Sequence, residues 1–305
     1  MVKTVFTPSE LKDEYPGCFR IYEFMLSKRG VGIEKHLQTH MTRFIKRNSK
    51  FVKEIEALFT EYTQKDSMHH FFKSGVVKTS IKELQKELHT TYSQFQSSQD
   101  SKKEHLLEHS ESISDLLQIH KSTQERVESY DEIYSYLCSN ALSSFKNSPL
   151  TILDIGCGMN PLSVEKFIEQ FGNSNIKWIG CDVHQEDMDY ISKCYKKFEF
   201  EGEFFSCDLT REDDREKINF LRVDVLFAFK VLDSLEHIQR NISFDMLKEL
   251  DYKIGVISFA TFSLGRRKRI PITKRAWILK FLEREKWAYS IYETDNEAYI
   301  VYKRR

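Results

Sequence analysis

The sequence predicts an α/β fold in which an all-helical N-terminal domain precedes a mostly parallel seven-stranded sheet that ends in an antiparallel hairpin. Apolar residues recur at helical spacing up to about residue 145, and from Ser148 onward short apolar runs alternate with helical stretches. Alternation of strands and helices favours a largely parallel sheet covered on both faces. We therefore expect a helical domain at 1–110 and an α/β domain at 111–305, in which 111–147 forms connecting helices.

The bulk composition is that of an ordinary soluble protein with enough residues for two domains. The 305 residues include 46 basic and 46 acidic side chains, so any binding of nucleic acid has to depend on local patches. No apolar run approaches the roughly 20 residues that span a bilayer, and the N-terminus lacks a signal-peptide core. The six cysteines form no C-x-x-C pair, so we expect neither disulfides nor a metal site. A cytoplasmic protein without membrane contact is the expectation.

The N-terminal helices are indicated by an apolar stripe with helical period. Leu84 and Leu88 continue this period after a break at Ser74-Gly75. The basic residues between Arg43 and Lys53 either contact phosphates or form a solvated helix face, and the sequence leaves both possibilities open. The stripe consists of Phe51, Ile55, Leu58, Phe59 and Tyr62.

Seven apolar runs after residue 148 are the candidate strands. Helices fit after the first two of them, at 161–171 and 185–197. The last two runs flank Asp295-Asn296 and are expected to pair as an antiparallel hairpin. Five parallel strands followed by such a hairpin are expected of Rossmann-like class I methyltransferases, whereas a nicotinamide dehydrogenase would more usually continue with parallel units. The seven runs are 151–155, 176–182, 203–207, 223–229, 253–260, about 288–294 and 297–303.

The stretch from Thr151 to Pro161, TILDIGCGMNP, predicts a buried strand that runs into a glycine turn and then a helix. Gly156 and Gly158 allow the backbone to approach a ligand where a Cβ would collide with it. A doubly wound sheet holds a nucleotide-like cofactor at this first strand-to-helix turn. A tight turn without a ligand would show the same two glycines, so residues at the other strand ends have to show whether a ligand binds here.

Acidic residues follow the first three predicted strands, at the sheet edge where open α/β folds bind ligands. Asp154 ends the first strand, and Asp182 ends the second. A carboxylate at Asp182 can accept hydrogen bonds from both ribose hydroxyls, and such charge-assisted bonds are strong. Asp208 ends the third strand and can accept from an adenine amino group, while Leu209 packs on the ring. Together with the glycine turn, these acids predict an adenosine-containing cofactor.

The cofactor is expected to be S-adenosylmethionine rather than a dinucleotide. Pro161 occupies the third glycine position of a G-x-G-x-x-G turn, so a pyrophosphate would be poorly held. S-adenosylmethionine carries no phosphate, but its carboxylate needs a partner, and the bidentate guanidinium fork of Arg126 is the best candidate. Asn160 and Val183, beside the glycine turn and Asp182, complete the predicted site.

Four segments resemble motifs of the aminoglycoside-resistance methyltransferases of small-subunit ribosomal RNA, which methylate a guanine N7. Residues 120–126 (HKSTQER) are similar to the family's H-x-S-T-x-E-R, and 153–162 (LDIGCGMNPL) to L-D-[IL]-G-C-G-x-N-P-L. Residues 229–236 (FKVLDSLE) resemble L-K-x-L-P-x-L-E, and 256–265 (VISFATFSLG) resemble V-[IV]-S-F-P-x-K-S-L-x-G. The likeness spans the C-terminal domain in the family's order, and the N-terminal domain matches only as a helical extension.

The resemblance implies roles for individual residues. Lys230 and the segment from Ser258 to Ser263 are implied to lie near the reactive methyl group and the target base. The chain departs from the family motifs at Asp233 and Ala260, which replace prolines, and at Phe262, which replaces a lysine. The cofactor site is implied to be lined by Arg126, Gly156, Asp182, Asp208 and Leu209.

The reaction implied by this resemblance asks for positioning rather than for a general base. Guanine N7 carries a lone pair at neutral pH, so holding it in line with the sulfonium in a desolvated pocket can supply most of the acceleration. A base in folded RNA has to be flipped out, and an aromatic side chain can then stack on it. Phe229, Phe259 and Phe262 are the aromatic candidates. Lys230, Phe229, Ser258 and Phe259 are therefore the expected catalytic positions.

A run of six cations within ten residues predicts an RNA-binding segment, since no acid lies among them. Nuclear targeting or a solvated loop would give the same composition. The cations are Arg266, Arg267, Lys268, Arg269, Lys274 and Arg275.

We expect a monomeric RNA methyltransferase whose helical domain and 265–275 segment hold structured RNA. Small-subunit ribosomal RNA is the first expected substrate, and transfer RNA is the alternative because Ala260 and Phe262 depart from the family beside the target pocket. A small-molecule methyltransferase, or a non-catalytic RNA-binding module that retains the fold, remain lower alternatives.

Overall fold

The structure is a computed structural model that describes residues 5–29, 34–88, 100–119, 121–262 and 269–304. The chain divides into two compact units, Met1–Gln96 and Ser97–Arg305. Residues 100–109, which the sequence assigns to the N-terminal domain, belong to the second unit.

The regular elements of the first unit that the structure describes are all helices. Glu56 stabilises the start of the second helix, since its Oε2 accepts from Gly17 N at 2.8 Å and its Oε1 from Cys18 N at 2.9 Å. Ile55 of the predicted stripe is fully buried, and its other four residues are half-buried. Val52, which the stripe did not include, is also buried. The helices are α1 (Pro8–Glu14), α2 (Pro16–Arg29), α3 (Glu34–Arg47), α4 (Ser49–Gln64), α5 (Met68–Lys73) and α6 (Gly75–Leu88).

Three helices of the second unit precede the sheet: α7 (Asp100–His109), α8 (Lys121–Gln124) and α9 (Tyr130–Asn140). Lys103 fixes α7 within this unit, because its ammonium lies 2.7 Å from the Asp187 carboxylate and its carbonyl accepts from the Tyr190 hydroxyl.

The seven predicted strands are confirmed, each within about two residues of its expected bounds. The sheet order is β3-β2-β1-β4-β5-β7-β6, with β1 to β5 parallel and β7 antiparallel to both neighbours. The strands are β1 (Leu150–Ile155), β2 (Ile176–Asp182), β3 (Gly202–Ser206), β4 (Val225–Phe229), β5 (Ile254–Ala260), β6 (Ala288–Glu293) and β7 (Glu297–Lys303).

Helices cover both faces of the sheet and enclose two separate apolar clusters. Helices α9, α10 and α11 bury the first cluster, and α12 to α15 bury the second. The predicted Rossmann-like class of fold is therefore confirmed. Among the described residues, no helix combines the length and the hydrophobicity of a membrane-spanning segment. The remaining helices are α10 (Val164–Phe171), α11 (Gln185–Lys197), α12 (Glu212–Asn219), α13 (Leu232–Ile238), α14 (Ile242–Glu249) and α15 (Ala276–Arg284).

The position of β7 brings an additional residue to the functional edge of the sheet. The carboxyl ends of β1 to β5 meet at one edge, and β7 starts there because it runs in the opposite direction. Glu297, the first residue of β7, pairs in register with Ala260, the last residue of β5. The sequence predicted the hairpin, but not that β7 rather than β6 would lie beside β5.

Candidate functional site

The turn after β1 requires glycine at two positions for different reasons. Gly156 and Gly158 have φ of +58° and +49°, the left-handed region that favours glycine. A Cβ on Gly156 would lie 2.5 Å from Val231 Cγ2, whereas one on Gly158 would meet no described atom within 4 Å. Gly156 therefore serves close packing, and the space beside Gly158 can admit a ligand.

Gly156→Ala is expected to destabilise the protein by more than Gly172→Ala. Gly172 also has a positive φ, +75°, but a Cβ there would meet no described atom within 4 Å. Left-handed backbone costs a residue with a Cβ roughly 1–2 kcal/mol, and the Val231 collision adds an overpacking cost of about 1–3 kcal/mol. Urea unfolding of both variants measures the difference. Equal losses in the two variants would show that contact with Val231 has no energetic effect.

Two of the predicted cofactor residues lie beneath the turn. Asn160 Nδ2 donates to Asp154 Oδ2 at 2.8 Å, and Asn160 Oδ1 accepts from the Tyr130 hydroxyl at 2.9 Å. Asp154 is fully buried and Asn160 is 1 % exposed. Burial raises the pKa of Asp154 to about 7, although the Asn160 bond and the Arg126 charge oppose this shift. These side chains hold the turn in shape from below.

Asp182 joins the end of β2 to the glycine turn. Its Oδ2 accepts from Gly158 N at 2.9 Å, and its Oδ1 accepts from Val183 N at 2.7 Å. Burial raises the pKa of this carboxyl, and the nearby His184 and the Gly158 bond oppose the increase. The structure therefore brings together three of the residues predicted to bind the cofactor.

Asp208 is held by its own loop at the end of β3. Its Oδ1 accepts from Thr210 N at 3.0 Å and from the Thr210 hydroxyl at 2.6 Å. Asp208 N donates to Asp214 Oδ2 at 3.0 Å, and Lys217 also binds Asp214. Sequence reasoning did not identify Asp214 as part of this loop. Its place in the first turn of α12, after the Asp208 loop, was the available signal.

Arg126 forms a buried bidentate ion pair with Glu297. Its Nε lies 2.8 Å from Glu297 Oε2, and its Nη2 lies 2.9 Å from Oε1. The two side chains are 5 % and 1 % exposed. The guanidinium stacks 5.2 Å from the centre of the Phe229 ring. The fork that the sequence assigned to a cofactor carboxylate is thus engaged with a carboxylate of the protein.

Lys230 and Ser258 complete a buried cluster around Glu297. Lys230 has a φ of +56°, rare for a residue with a side chain, and its backbone N–H donates to the carbonyl and hydroxyl of Ser258. Its Nζ lies 3.5 Å from Glu297 Oε2 and 3.4 Å from Glu125 Oε2. The Ser258 hydroxyl donates to Glu297. We call Arg126, Lys230, Ser258 and Glu297 the strand-end cluster.

The charge of Glu297 is stabilised by its neighbours despite complete burial. Burial by itself would raise the pKa of this carboxyl, but the charges of Arg126 and Lys230, together with hydrogen bonds from Arg126 and Ser258, lower it to about 2. Glu297 therefore remains ionised at neutral pH. Sequence reasoning missed this residue, and an acid at the start of an otherwise apolar strand is the only local signal for it.

The aromatic candidates for base stacking are packed inside the fold. Phe229 is 6 % exposed and stacks on Phe227 in the first apolar cluster. Phe259 is 1 % exposed, belongs to the second cluster and meets Trp277 edge to face. The two rings therefore lie on opposite faces of the sheet and do not share one base. Phe262 is half-buried.

The predicted basic segment is only partly within the described residues. Arg269 and Lys274 are exposed, and Arg269 lies 3.7 Å from Glu293. Arg275 is instead buried, with its guanidinium 3.0 Å from Asp233 and bonded to the Ile270 carbonyl. It is structural in this arrangement, and it gives Asp233, which replaces a family proline, an internal partner. Arg266, Arg267 and Lys268 lie outside the described residues.

The cysteines of the chain form no disulfide in the structure. All six cysteines are buried and unbridged. Among the residues that the structure describes, no three or more His, Cys, Asp or Glu side chains form a group able to hold a metal ion.

The chain is similar to a known protein family and to individual members of it. A family model described as "Ribosomal RNA methyltransferase (FmrO)" matches residues 109–301. A 16S rRNA (guanine(1405)-N(7))-methyltransferase of Serratia marcescens is 30% identical over 162 residues, which are 53% of this chain and 58% of that protein. Its namesake from Frankia casuarinae is 24% identical over 198 residues, or 63% and 64% of the two chains. The chain thus spans about 60% of the length of these two relatives.

Solved structures agree on the fold. The 16S rRNA methylase ArmA is 25% identical with a TM-score of 0.53, covering 68% of this chain and 97% of its own. The 16S rRNA methylase RmtB is 20% identical with a TM-score of 0.57, covering 88% and 98%. The family model accounts for well over half of the residues, so this chain belongs to the ribosomal RNA methyltransferase (FmrO) family.

Proposed function

We propose that this protein transfers a methyl group from S-adenosylmethionine to N7 of a guanine in small-subunit ribosomal RNA. The proposal rests mainly on the sheet edge at which Asp182 holds Gly158 and Asp208 lies in the loop just after β3. The names of the Serratia and Frankia relatives support the reaction and the substrate. Transfer RNA is the alternative substrate, because Ala260 and Phe262 depart from the family motif.

The residues at this edge fit an adenosine ligand. The open side of Gly158 admits a ligand against the backbone, and the Asp182 carboxylate, next to Val183, would accept from ribose hydroxyls. Asp208 would accept from the adenine amino group, beside the apolar Leu209. Asp154 and Asn160 would act from beneath by keeping the turn in shape. When bound, the cofactor supplies an electrophilic methyl group.

Arg126 would contribute to the cofactor site in a more limited way than its sequence position suggests. Two of its nitrogens are bonded to Glu297. A bound carboxylate would therefore meet the remaining nitrogen, Nη1, or would have to displace Glu297. We propose that the pair mainly fixes the guanidinium beside the glycine turn, and that a single bond from Nη1 reaches the ligand.

The chain's own residues would catalyse transfer by positioning the base. Guanine N7 has a lone pair at neutral pH, so no proton has to be removed and no general base is required. Lys230 would face the target base, and Ser258 would hold its strained backbone in place. Phe229 and Phe259 would support the ends of β4 and β5 from opposite faces of the sheet.

The RNA itself would be held by both parts of the chain, which we propose to act as a monomer in the cytoplasm. The N-terminal helices and the exposed cations of the 265–275 segment, Arg269 and Lys274 among the described residues, would contact phosphates. A small-molecule methyltransferase would not need these cations.

The decisive assay is incubation with methyl-labelled S-adenosylmethionine and separate pools of small ribosomal subunits, large subunits and transfer RNA. We expect label in small-subunit RNA, at a guanine whose N7 methylation is revealed by chemical cleavage of the modified strand. Label in transfer RNA alone would show that transfer RNA is the substrate, while the proposed methyl-transfer reaction would stand. No label in any RNA pool would overturn the proposal.

A further inference from the structure

A second recess lies on the helical layer formed by α13, α14 and α15, away from the glycine turn. It encloses about 470 Å³ and combines aromatic rings with basic side chains. Trp277, one of its lining residues, meets Phe259 of β5 edge to face, so the recess adjoins the functional edge of the sheet. It is lined by Glu236, Arg240, Asn241, Phe244, Trp277, Lys280, Phe281 and Arg284. We call this recess the α15 groove.

The sequence of α15 creates one wall of the α15 groove. Trp277, Lys280, Phe281 and Arg284 are spaced i, i+3, i+4 and i+7, which puts them on one face of the helix. Phe281 is buried and stacks on Phe244 of α14, with ring centres 4.6 Å apart and planes 11° from parallel. Trp277 and Phe244 are only half-buried. The groove therefore offers partly exposed aromatic surface that packs on a buried ring.

The charges around these rings are unbalanced. Three cations line the groove against one acid, Glu236, whose carboxylate is already bonded to Asn241 N and Ser243 N at 2.8 and 2.9 Å. Arg284 lies over the Phe244 and Phe281 rings and 3.3 Å from Glu285.

Two of the cations remain available for a ligand. Arg240 and Lys280 are exposed, and neither forms an ion pair with any residue in the described ranges. Paired aromatic surface and unpaired cations form the combination that binds single-stranded nucleic acid, in which bases stack and phosphates meet cations.

We propose that the α15 groove binds an unpaired segment of the substrate RNA. A base would stack on Trp277 with its edge toward Phe244, whose ring plane is tilted 53° from that of Trp277. The adjoining phosphate would lie between Arg240 and Lys280. The site would hold RNA flanking the target nucleotide, since Trp277 contacts the strand that ends at the functional edge. This inference rests on the proposed RNA substrate and adds a contact surface outside the cofactor site.

Binding of a fluorescent single-stranded RNA ten-mer to the full-length protein tests the groove directly. Arg240→Ala and Lys280→Ala are each expected to weaken binding roughly fivefold and to lower the slope of log affinity against log salt by about one. The matched control is Lys196→Ala, an exposed lysine on α11 across the sheet, which should change affinity less than twofold. Stacking should quench tryptophan fluorescence, and Trp277→Phe should remove the quench while retaining most of the affinity.

Methylation of small subunits by the same variants separates this inference from the proposed function. The groove and the proposed function are both supported if Arg240→Ala and Lys280→Ala lose affinity for the ten-mer and the wild-type protein methylates small subunits. Unchanged affinity in those variants, while the wild type still methylates, overturns the groove alone. If poly-glutamate binds the groove and RNA does not quench the fluorescence of Trp277, the partner is an acidic protein and the inference is wrong. Groove-dependent binding of the ten-mer without methylation of any RNA supports the groove and rejects the proposed reaction.

Discussion

Replacement of Glu297 by alanine is expected to lower the free energy of unfolding by roughly 3–5 kcal/mol at pH 7, the cost of breaking a buried ion pair. The variant leaves Arg126 with 5 % exposure and no carboxylate to bind, and it removes the acceptor of the Ser258 hydroxyl. Lys230, whose ammonium lies 3.5 Å from Glu297, loses one of its two carboxylate partners and keeps only Glu125. Chemical denaturation at neutral pH measures the change.

A matched surface pair shows whether burial is the reason for this cost. Glu203 on β3 forms an ion pair with Lys177 at 2.6 Å, but the two side chains are 58 % and 35 % exposed. Glu203→Ala should cost about 1 kcal/mol or less, as exposed pairs do. The double variant Arg126→Met with Glu297→Leu should regain much of the stability that Glu297→Ala loses, because no charge is left buried alone. A loss for Glu297→Ala no larger than that for Glu203→Ala would contradict the stabilising role of the strand-end cluster.

The same variant carries a pH signature with a definite sign. The folded pKa of Glu297 is about 2, against an ordinary value of 4.5, so its contribution is complete above 4.5 and disappears as the pH falls toward 2. The stability difference between wild type and Glu297→Ala should therefore shrink over that window. Asp154 acts in the opposite direction: its pKa is raised to about 7, so its contribution is present below its ordinary value and is lost as the pH rises through 7. Because both proteins contain Asp154, its effect cancels in the difference.

The elements that sequence predicted well are those determined by local patterns. Each strand is an apolar run bounded by polar residues, and β2 and α11 begin and end where the periodicity of the side chains predicts. Gly156 and Gly158 could be identified because only glycine readily adopts their backbone conformation. The position of the acids at one edge could be predicted from the direction of the strands, since parallel strands bring their carboxyl ends to the same edge.

The residues that sequence missed depend on contacts between distant parts of the chain. Arg126 and Glu297 are 171 positions apart, and only the insertion of β7 beside β5 brings them together. The charge of Arg275 suggested a surface role, but its partner Asp233, 42 positions away, holds it inside. Composition and periodicity give the chemistry of a side chain, while its availability to a ligand depends on tertiary packing.

Asp182→Ala is expected to weaken binding of S-adenosylmethionine at least about 100-fold, while affinity for RNA changes little. Two charge-assisted hydrogen bonds to ribose hydroxyls would each contribute roughly 1.5–3 kcal/mol, and 1.4 kcal/mol corresponds to tenfold in affinity. The substitution also releases Gly158 N, which the carboxylate holds at 2.9 Å, so the turn becomes less ordered before the ligand binds. Calorimetry with the cofactor, and a separate RNA-binding titration, measure the two affinities.

Two further variants separate the direct contact from the tether. Asp213→Ala removes an acid of α12 that is 83 % exposed, and it should leave cofactor affinity within twofold of wild type. Asp182→Asn keeps an oxygen that can accept from Gly158 N, so it retains the tether but loses the charge and one acceptor. If ribose contact dominates, Asp182→Asn should resemble Asp182→Ala, whereas a dominant tether should leave it close to wild type. Wild-type cofactor affinity in Asp182→Ala itself would mean that the cofactor does not bind beside this carboxylate, because the loss follows from both mechanisms.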